Sequence, residues 1–185
     1  MSIDLTGKRV AILATDGVER VELEQPRDAI HERGGTTTLL SIDDLSVDQW
    51  DDDTDPASSL QADALVGDVD PAEFDALLLP GGVRNPDQLR QDPSAVDFAR
   101  AFLHAGKPVA AICHGPWLLA ETGSLGGRTI TSYPSLRTDL RNAGAEWVDE
   151  EVVVDHGLVT SRNPDDLPAF CAKIVETFAA APARS

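Results

Sequence analysis

The sequence predicts an α/β fold, a mostly parallel sheet with helices on both faces. Short apolar runs recur at Arg9–Thr15, Thr36–Ile42, Phe74–Leu79 and Pro108–Ile112, and helix-patterned segments separate them. Such strands are buried on both sides, and parallel neighbours need a crossover long enough to hold a helix. The length of 185 residues suits one domain with a substantial core, spanning 1–185, and is short for two.

The elements follow in order. The first strand, Arg9–Thr15, ends at the turn pair Asp16-Gly17. Val21, Leu23, Ala29 and Ile30 mark a helix running to Arg33 and stopped by Gly34-Gly35, with Pro26 predicting a kink or a late start. Thr36–Ile42 is the second strand. Residues 43–58, with Asp51-Asp52-Asp53 and Pro56, are expected to form a solvated surface loop without further role. Residues 64–69 are expected as a short hairpin arm. Phe74–Leu79 is a strand ending in Pro80-Gly81-Gly82, and a helix over Ala95–His104 leads to the Pro108–Ile112 strand. A helix follows Pro116. Thr129–Ser132 reads as a short strand and Ser135–Asn142 as a helix. Glu151–Asp155 and Leu158–Ser161 form a hairpin about His156-Gly157. A last helix reaches Ala180, with Asp166 as its cap and Pro168 in its first turn.

Composition narrows the function. Thirty-two acidic and 15 basic residues give a formal net charge of -17, and Lys8, Lys107 and Lys173 are the only lysines. That charge repels phosphate, so neither nucleic acid nor an anionic membrane is expected as a direct partner. A dense carboxylate surface suits a halophilic cytoplasm, where salt screens self-repulsion; the alternative is an acidic mesophilic protein. The N-terminal stretch has no signal-peptide pattern, and no apolar run is long enough to span a membrane. Cys113 and Cys171 do not form a metal-like pair, and His31, His104, His114 and His156 lack ligand spacing, so neither metal nor cofactor is expected.

The chemistry concentrates where the Pro108–Ile112 strand meets a helix at Cys113-His114-Gly115-Pro116. A thiol at such a corner is pushed toward thiolate by free N–H groups and the helix dipole, in the geometry of a nucleophile elbow. Cys171 lies in an amphipathic helix and is expected to be a small core residue. Ligands gather at the carboxyl ends of parallel strands, and three such ends carry suggestive residues. The first leads to Glu19 and Glu22; either is a solvated carboxylate or a partner that exchanges a proton with the thiol. The second leads to Gly82, whose N–H, with that of His114, could hold a developing oxyanion, or which serves a tight turn. The third leads to Cys113 and His114. His114 is a candidate base, although adjacency alone does not establish a hydrogen bond. Asp87 could orient it, or could simply open a helix.

The chain resembles the PfpI-type intracellular proteases, in the superfamily that holds the parkinsonism-associated deglycase and glyoxalase III enzymes. The resemblance rests on Asp16-Gly-Val-Glu-Arg-Val-Glu22, Glu73 to Gly82, Ala110-Ala-Ile-Cys113-His-Gly-Pro116, Ser132-Tyr-Pro-Ser, Asn142 to Asp149, Glu151 to Asp155 and Ser161 to Leu167. It implies a flavodoxin-like three-layer sandwich of the class I glutamine amidotransferase type. It further implies Cys113 as nucleophile, Glu22 as its carboxylate partner and His114 as neighbour, with homodimers or larger assemblies. Asp87 would complete a triad in a neighbouring subunit, where some relatives carry the longer glutamate. The amidotransferase His and Glu pair has no counterpart near the C-terminus.

Three functions follow. The first is an enzyme acting on reactive carbonyls such as methylglyoxal, or on glycated amino groups, yielding a hydroxy acid without a cofactor. The second is a cysteine peptidase using Cys113, His114 and Asp87. The third is a redox sensor in which Cys113 is oxidised beside Glu22.

Overall fold

The apolar runs pair side by side in the computed structural model, which describes residues 3–181; the outermost residues of the expected 1–185 span lie outside the described residues. In chain order the elements are β1 (Arg9–Leu13), β2 (Val18–Glu19), α1 (Arg20–His31), β3 (Thr36–Ser41), β4 (Ser46–Asp51), β5 (Asp55–Gln61), β6 (Ala64–Leu65), β7 (Ala76–Leu79) and α2 (Arg84–Leu89). They continue with α3 (Pro93–His104), β8 (Val109–Ile112), α4 (Pro116–Glu121), β9 (Thr129–Ile130), α5 (Arg137–Asn142), β10 (Glu146–Trp147), β11 (Val152–Asp155), β12 (Leu158–Ser161) and α6 (Leu167–Ala180).

Seven strands form the central sheet in the order β11-β12-β8-β7-β1-β3-β6. Every pair is parallel except β11 against β12. Within it, β3-β1-β7-β8-β12 has the 2-1-3-4-5 order of a flavodoxin-like sheet. The chain reverses direction across the sheet between β1 and β7, so a crevice opens at the carboxyl ends of these strands.

Alternation along each strand divides the core between two faces. Ala11, Leu13, Leu77, Leu79, Val109 and Ala111 pack with Phe98, Phe102 and Leu118 from α3 and α4. Val10, Ile12, Ala76, Leu78, Ala110 and Ile112 pack with Leu23 and Ile30 of α1 and Phe170, Ile174 and Phe178 of α6. Each large side chain so buried contributes roughly 1.5–3 kcal/mol. That is why the strands carry no polar alternation: both faces must stay dry.

Several elements differ from the sequence reading. Residues 43–58 are not a plain loop; β4 and β5 form an antiparallel hairpin whose tip is Asp52-Asp53, and β4 also pairs with β2. Exposed side chains along β5 hid it: only Leu60 of that strand packs against the core, beside Val47 of β4. Residues 64–69 are not a hairpin arm either. Ala64 and Leu65 extend the main sheet in parallel beside β3, and Val66–Asp68 turn as a 3₁₀ helix. Pro26 sits inside a continuous α1. Asp166 does not cap α6 with its side chain; the carboxylate accepts hydrogen bonds from the Arg162 guanidinium instead, at 2.9 Å to each oxygen. Asp92 is a working cap, accepting from the Ala95 N–H at 2.8 Å at the start of α3.

Candidate active site

Cys113 follows the last residue of β8 with φ of 61°, in the left-handed region that costs a non-glycine residue about 1–2 kcal/mol. Three bonds fix the corner. Its N–H donates to the Ser161 carbonyl (3.1 Å), its carbonyl accepts from the Tyr133 N–H (2.9 Å), and the Gly115 N–H closes back onto Ile112 (2.8 Å). The strained turn lifts the side chain into a cavity of about 290 Å³ at the carboxyl ends of the strands. Glu19, Glu22, Gly82, His114, Asp52 and Asp53 share this cavity with it, along with Val83, Tyr133 and Pro164.

Glu22, on the first turn of α1, is fully buried. Its Oε2 accepts from the Gly81 N–H at 2.9 Å, while among the described residues Oε1 has no hydrogen-bond partner. Burial, reinforced by the Glu19 charge, carries its pKa up to about 8 against the pull of the Gly81 N–H and the Cys113 thiol. For Cys113, burial and then the Glu22 charge push the thiol well above its usual value, while the His114 and Gly82 N–H groups pull it down. The sequence expectation of a free thiolate made by a helix dipole is therefore corrected. Helix α4 begins only at Pro116 and has 6 residues, so its dipole is weak. What the site holds is a thiol and a carboxyl that contend for protons, with two amide donors favouring charge on sulfur.

Two glycines make this contact possible. A Cβ on Gly81 would lie 2.4 Å from Glu22 Oε2 and 2.7 Å from Cys113 Cβ; on Gly82, at φ of 79°, it would lie 2.4 Å from the Gly17 carbonyl oxygen. The turn is clamped by Asn85, a fully buried residue that the sequence reading passed over. It accepts from the Thr15 N–H at 2.8 Å and donates to the Pro80 and Gly81 carbonyls at 3.1 and 3.0 Å, tying the end of β1 to the end of β7. An asparagine just after a strand-ending Gly-Gly was its only signal.

His114 does meet its neighbour: Nδ1 lies 3.1 Å from Cys113 Sγ. Burial lowers its pKa, so the ring is neutral at pH 7. Its other nitrogen faces the Ser135 hydroxyl at 3.3 Å, and the ring stacks on Tyr133 with centroids 4.6 Å apart. Asp87 is exposed on α2, and no hydrogen bond or ion pair joins it to His114 among the described residues. Glu19 lines the cavity nearly buried. Burial and the charges of Asp53, Asp52 and Asp51 raise its pKa to about 7, while the Asp52 N–H pulls the other way. Cys171 is half-buried on α6, away from this cavity, its pKa raised to about 11 by burial alone.

Fold and site together define a flavodoxin-like α/β protein that presents one thiol at a strained strand-to-helix corner beside a buried carboxyl. The chain belongs to the DJ-1/PfpI family, which it matches over residues 8–177. Protein/nucleic acid deglycase 2 of Escherichia coli (strain K12) is 44% identical over 164 residues, covering 88% of this chain and 93% of that protein. YraA of Bacillus subtilis (strain 168), whose name proposes a cysteine protease, is 45% identical over 164 residues, covering 88% of this chain and 94% of that protein. The crystal structure of Drosophila melanogaster DJ-1beta superposes with a TM-score of 0.82 at 30% identity, covering 93% of this chain and 90% of that one.

Proposed function

We propose that the chain is a cysteine-dependent enzyme acting on reactive carbonyl compounds and on their adducts with amino groups. The observation that carries this reading is the pairing of Cys113 with a buried carboxyl whose Oε1 is unpartnered, under two convergent N–H groups. A relative at 44% identity bears a deglycase name.

The chemistry would run as follows. Cys113 Sγ adds to the aldehyde carbon of methylglyoxal as its proton passes to the Glu22 carboxylate, and the new alkoxide is held by the Gly82 and His114 N–H groups. The alkoxide then takes that proton back from Glu22, and the freed carboxylate carries the C1 proton to C2 by way of an enediol while the C1 hydroxyl proton passes to the C2 oxygen, which oxidises C1 to a thioester and reduces C2 to an alcohol. Water, aided by neutral His114, hydrolyses the thioester to lactate and restores the thiol. The net change is methylglyoxal plus water to lactate. On a glycated amine, sulfur would first displace the amine from the carbinol carbon. Glu19 serves as a secondary proton acceptor at the cavity mouth.

The test compares the parent protein with Cys113→Ser and Cys171→Ser on methylglyoxal and on a small peptide substrate. Lactate from the parent and from Cys171→Ser, but not from Cys113→Ser, is the expected result. Peptide cleavage without lactate would overturn the reading in favour of a peptidase. Absence of both, with Cys113 alone oxidised by peroxide in a mass spectrum, would favour a redox sensor.

A further inference from the structure

The mouth of the cavity carries two carboxylates, Asp52 and Asp53, that the chemistry above does not use. Of the residues lining it, Glu19, Glu22, Asp52 and Asp53 are acidic and none is lysine or arginine. Asp52 and Asp53 form the tip of the β4–β5 hairpin, both in the left-handed region, at φ of 54° and 58°. Asp53 Oδ1 accepts from the Val83 N–H at 2.7 Å, which pins the tip against the turn that carries Gly82. Arg20 is not among the residues lining the cavity; it grips Asp51 on the hairpin through Nε and Nη2, at 2.8 and 3.0 Å. No salt bridge joins Asp52 or Asp53 to a basic side chain among the described residues. A second, separate observation points to a ligand. Glu22 lines the same cavity, and its buried Oε1 has no hydrogen-bond partner among the described residues. The acidic side chains are not gathered for a metal ion: among the described residues no three such groups come together.

We propose that this mouth selects carbonyl adducts that carry a positive charge beside the reacting carbon, such as those on lysine, arginine or small cationic amines, over neutral and anionic ones. The proposal rests on the reading of Cys113 as the reacting thiol. The reacting carbon sits at Sγ, and the remainder of the substrate extends past Asp52 and Asp53. Two like charges at the entrance favour a cation and repel a phosphate or carboxylate, each by roughly tenfold at low ionic strength. Salt weakens the exposed part of this effect, since the Debye length falls to about 3 Å at 1 M.

Two measurements test it, both in the Cys171→Ser background. The first uses cationic and anionic methanethiosulfonates. Cys113 sulfur forms a mixed disulfide and expels methanesulfinate, so the rate reports charge at the thiol whether or not the protein is an enzyme. Normalised to the same ratio on 2-mercaptoethanol, the cation-to-anion ratio should exceed about tenfold. It should fall several-fold in Asp52→Asn, whose side chain tolerates the same backbone conformation, and hold in Glu32→Gln, at the far end of α1. The second compares turnover of methylglyoxal hemithioacetals of thiocholine, 2-mercaptoethanol and 3-mercaptopropionate, which differ in charge at similar size. The expected kcat/KM order is cation, neutral, anion, with the spread narrowing in Asp52→Asn. A normalised ratio near one, or equal losses in Asp52→Asn and Glu32→Gln, would overturn the proposal. Inert hemithioacetals with the methanethiosulfonate ratio intact would instead sink the carbonyl-enzyme reading and leave the charge selection standing.

Discussion

Cys113 and Glu22 titrate as a pair, so the apparent pKa of either belongs to both. At pH 7 the carboxyl holds its proton, because its pKa is near 8, and the thiol keeps its own. Alkylation of Cys113 by iodoacetamide, followed in Cys171→Ser, should therefore rise with pH and keep rising beyond the range of an ordinary cysteine. Glu22→Gln should bring the thiol's titration down, since the neighbouring charge that pushes it up is gone. The same group bears on stability. Its folded pKa lies above the usual carboxylate value, so between about pH 4.5 and 8 the native state binds more protons than the unfolded one. Stability must then fall as pH rises through that window, by up to about 1.4 kcal/mol per pH unit for one proton. Urea unfolding at pH 5 and pH 8 should show this loss in the parent and a smaller one in Glu22→Gln. Asn85 offers a test without titration. Asn85→Ala strands the Thr15 N–H and two carbonyls in a dry site, and should cost about 3 kcal/mol of unfolding free energy. It should also slow Cys113 alkylation, because the Gly81-Gly82 turn loses its clamp.

Among the elements, the β4–β5 hairpin links the edge of the fold to its centre. Asp53→Ala removes the acceptor of the Val83 N–H, so hydrogen exchange at Val83 should quicken while β1, β7 and β8 keep their protection. The elements buried on both faces were the ones legible in the sequence. Strands β1, β7 and β8 carry unbroken apolar runs because helices cover them on each side, and the corner at Cys113 follows from a strand running directly into Gly-Pro. The hairpin was hidden for the opposite reason. Val47 and Leu60 are its chief apolar anchors, and its acidic tip has the composition of a loop. Helix α2 was concealed because Asn85-Pro86-Asp87 has turn composition, whereas Asn85 and Pro86 are buried against the sheet. What could not be read at all was distance: nothing in the order of residues says that Glu22 and Gly81, 59 positions apart, share a hydrogen bond.

At the scale of the whole molecule, charge outweighs any single contact. A net charge of -17 on 185 residues repels itself most strongly in the compact state. The surface ion pairs, such as Arg20 with Asp51 and Arg162 with Asp149, are each worth about 1 kcal/mol or less and do not offset it. The thermal midpoint should climb as potassium chloride is raised from low to molar concentration, as scanning calorimetry would record, and a flat response would remove the halophilic expectation. One bond ties this global picture to the reactive corner. The amide of Cys113 is held by Ser161, a residue 48 positions later in the chain, on a strand that also closes the sheet beside β8. While the polypeptide is still emerging from the ribosome, that carbonyl has not yet been made. The sulfur thus becomes a shaped reactive group only near the end of translation, and nascent fragments that stop short of β12 carry an ordinary cysteine in its place.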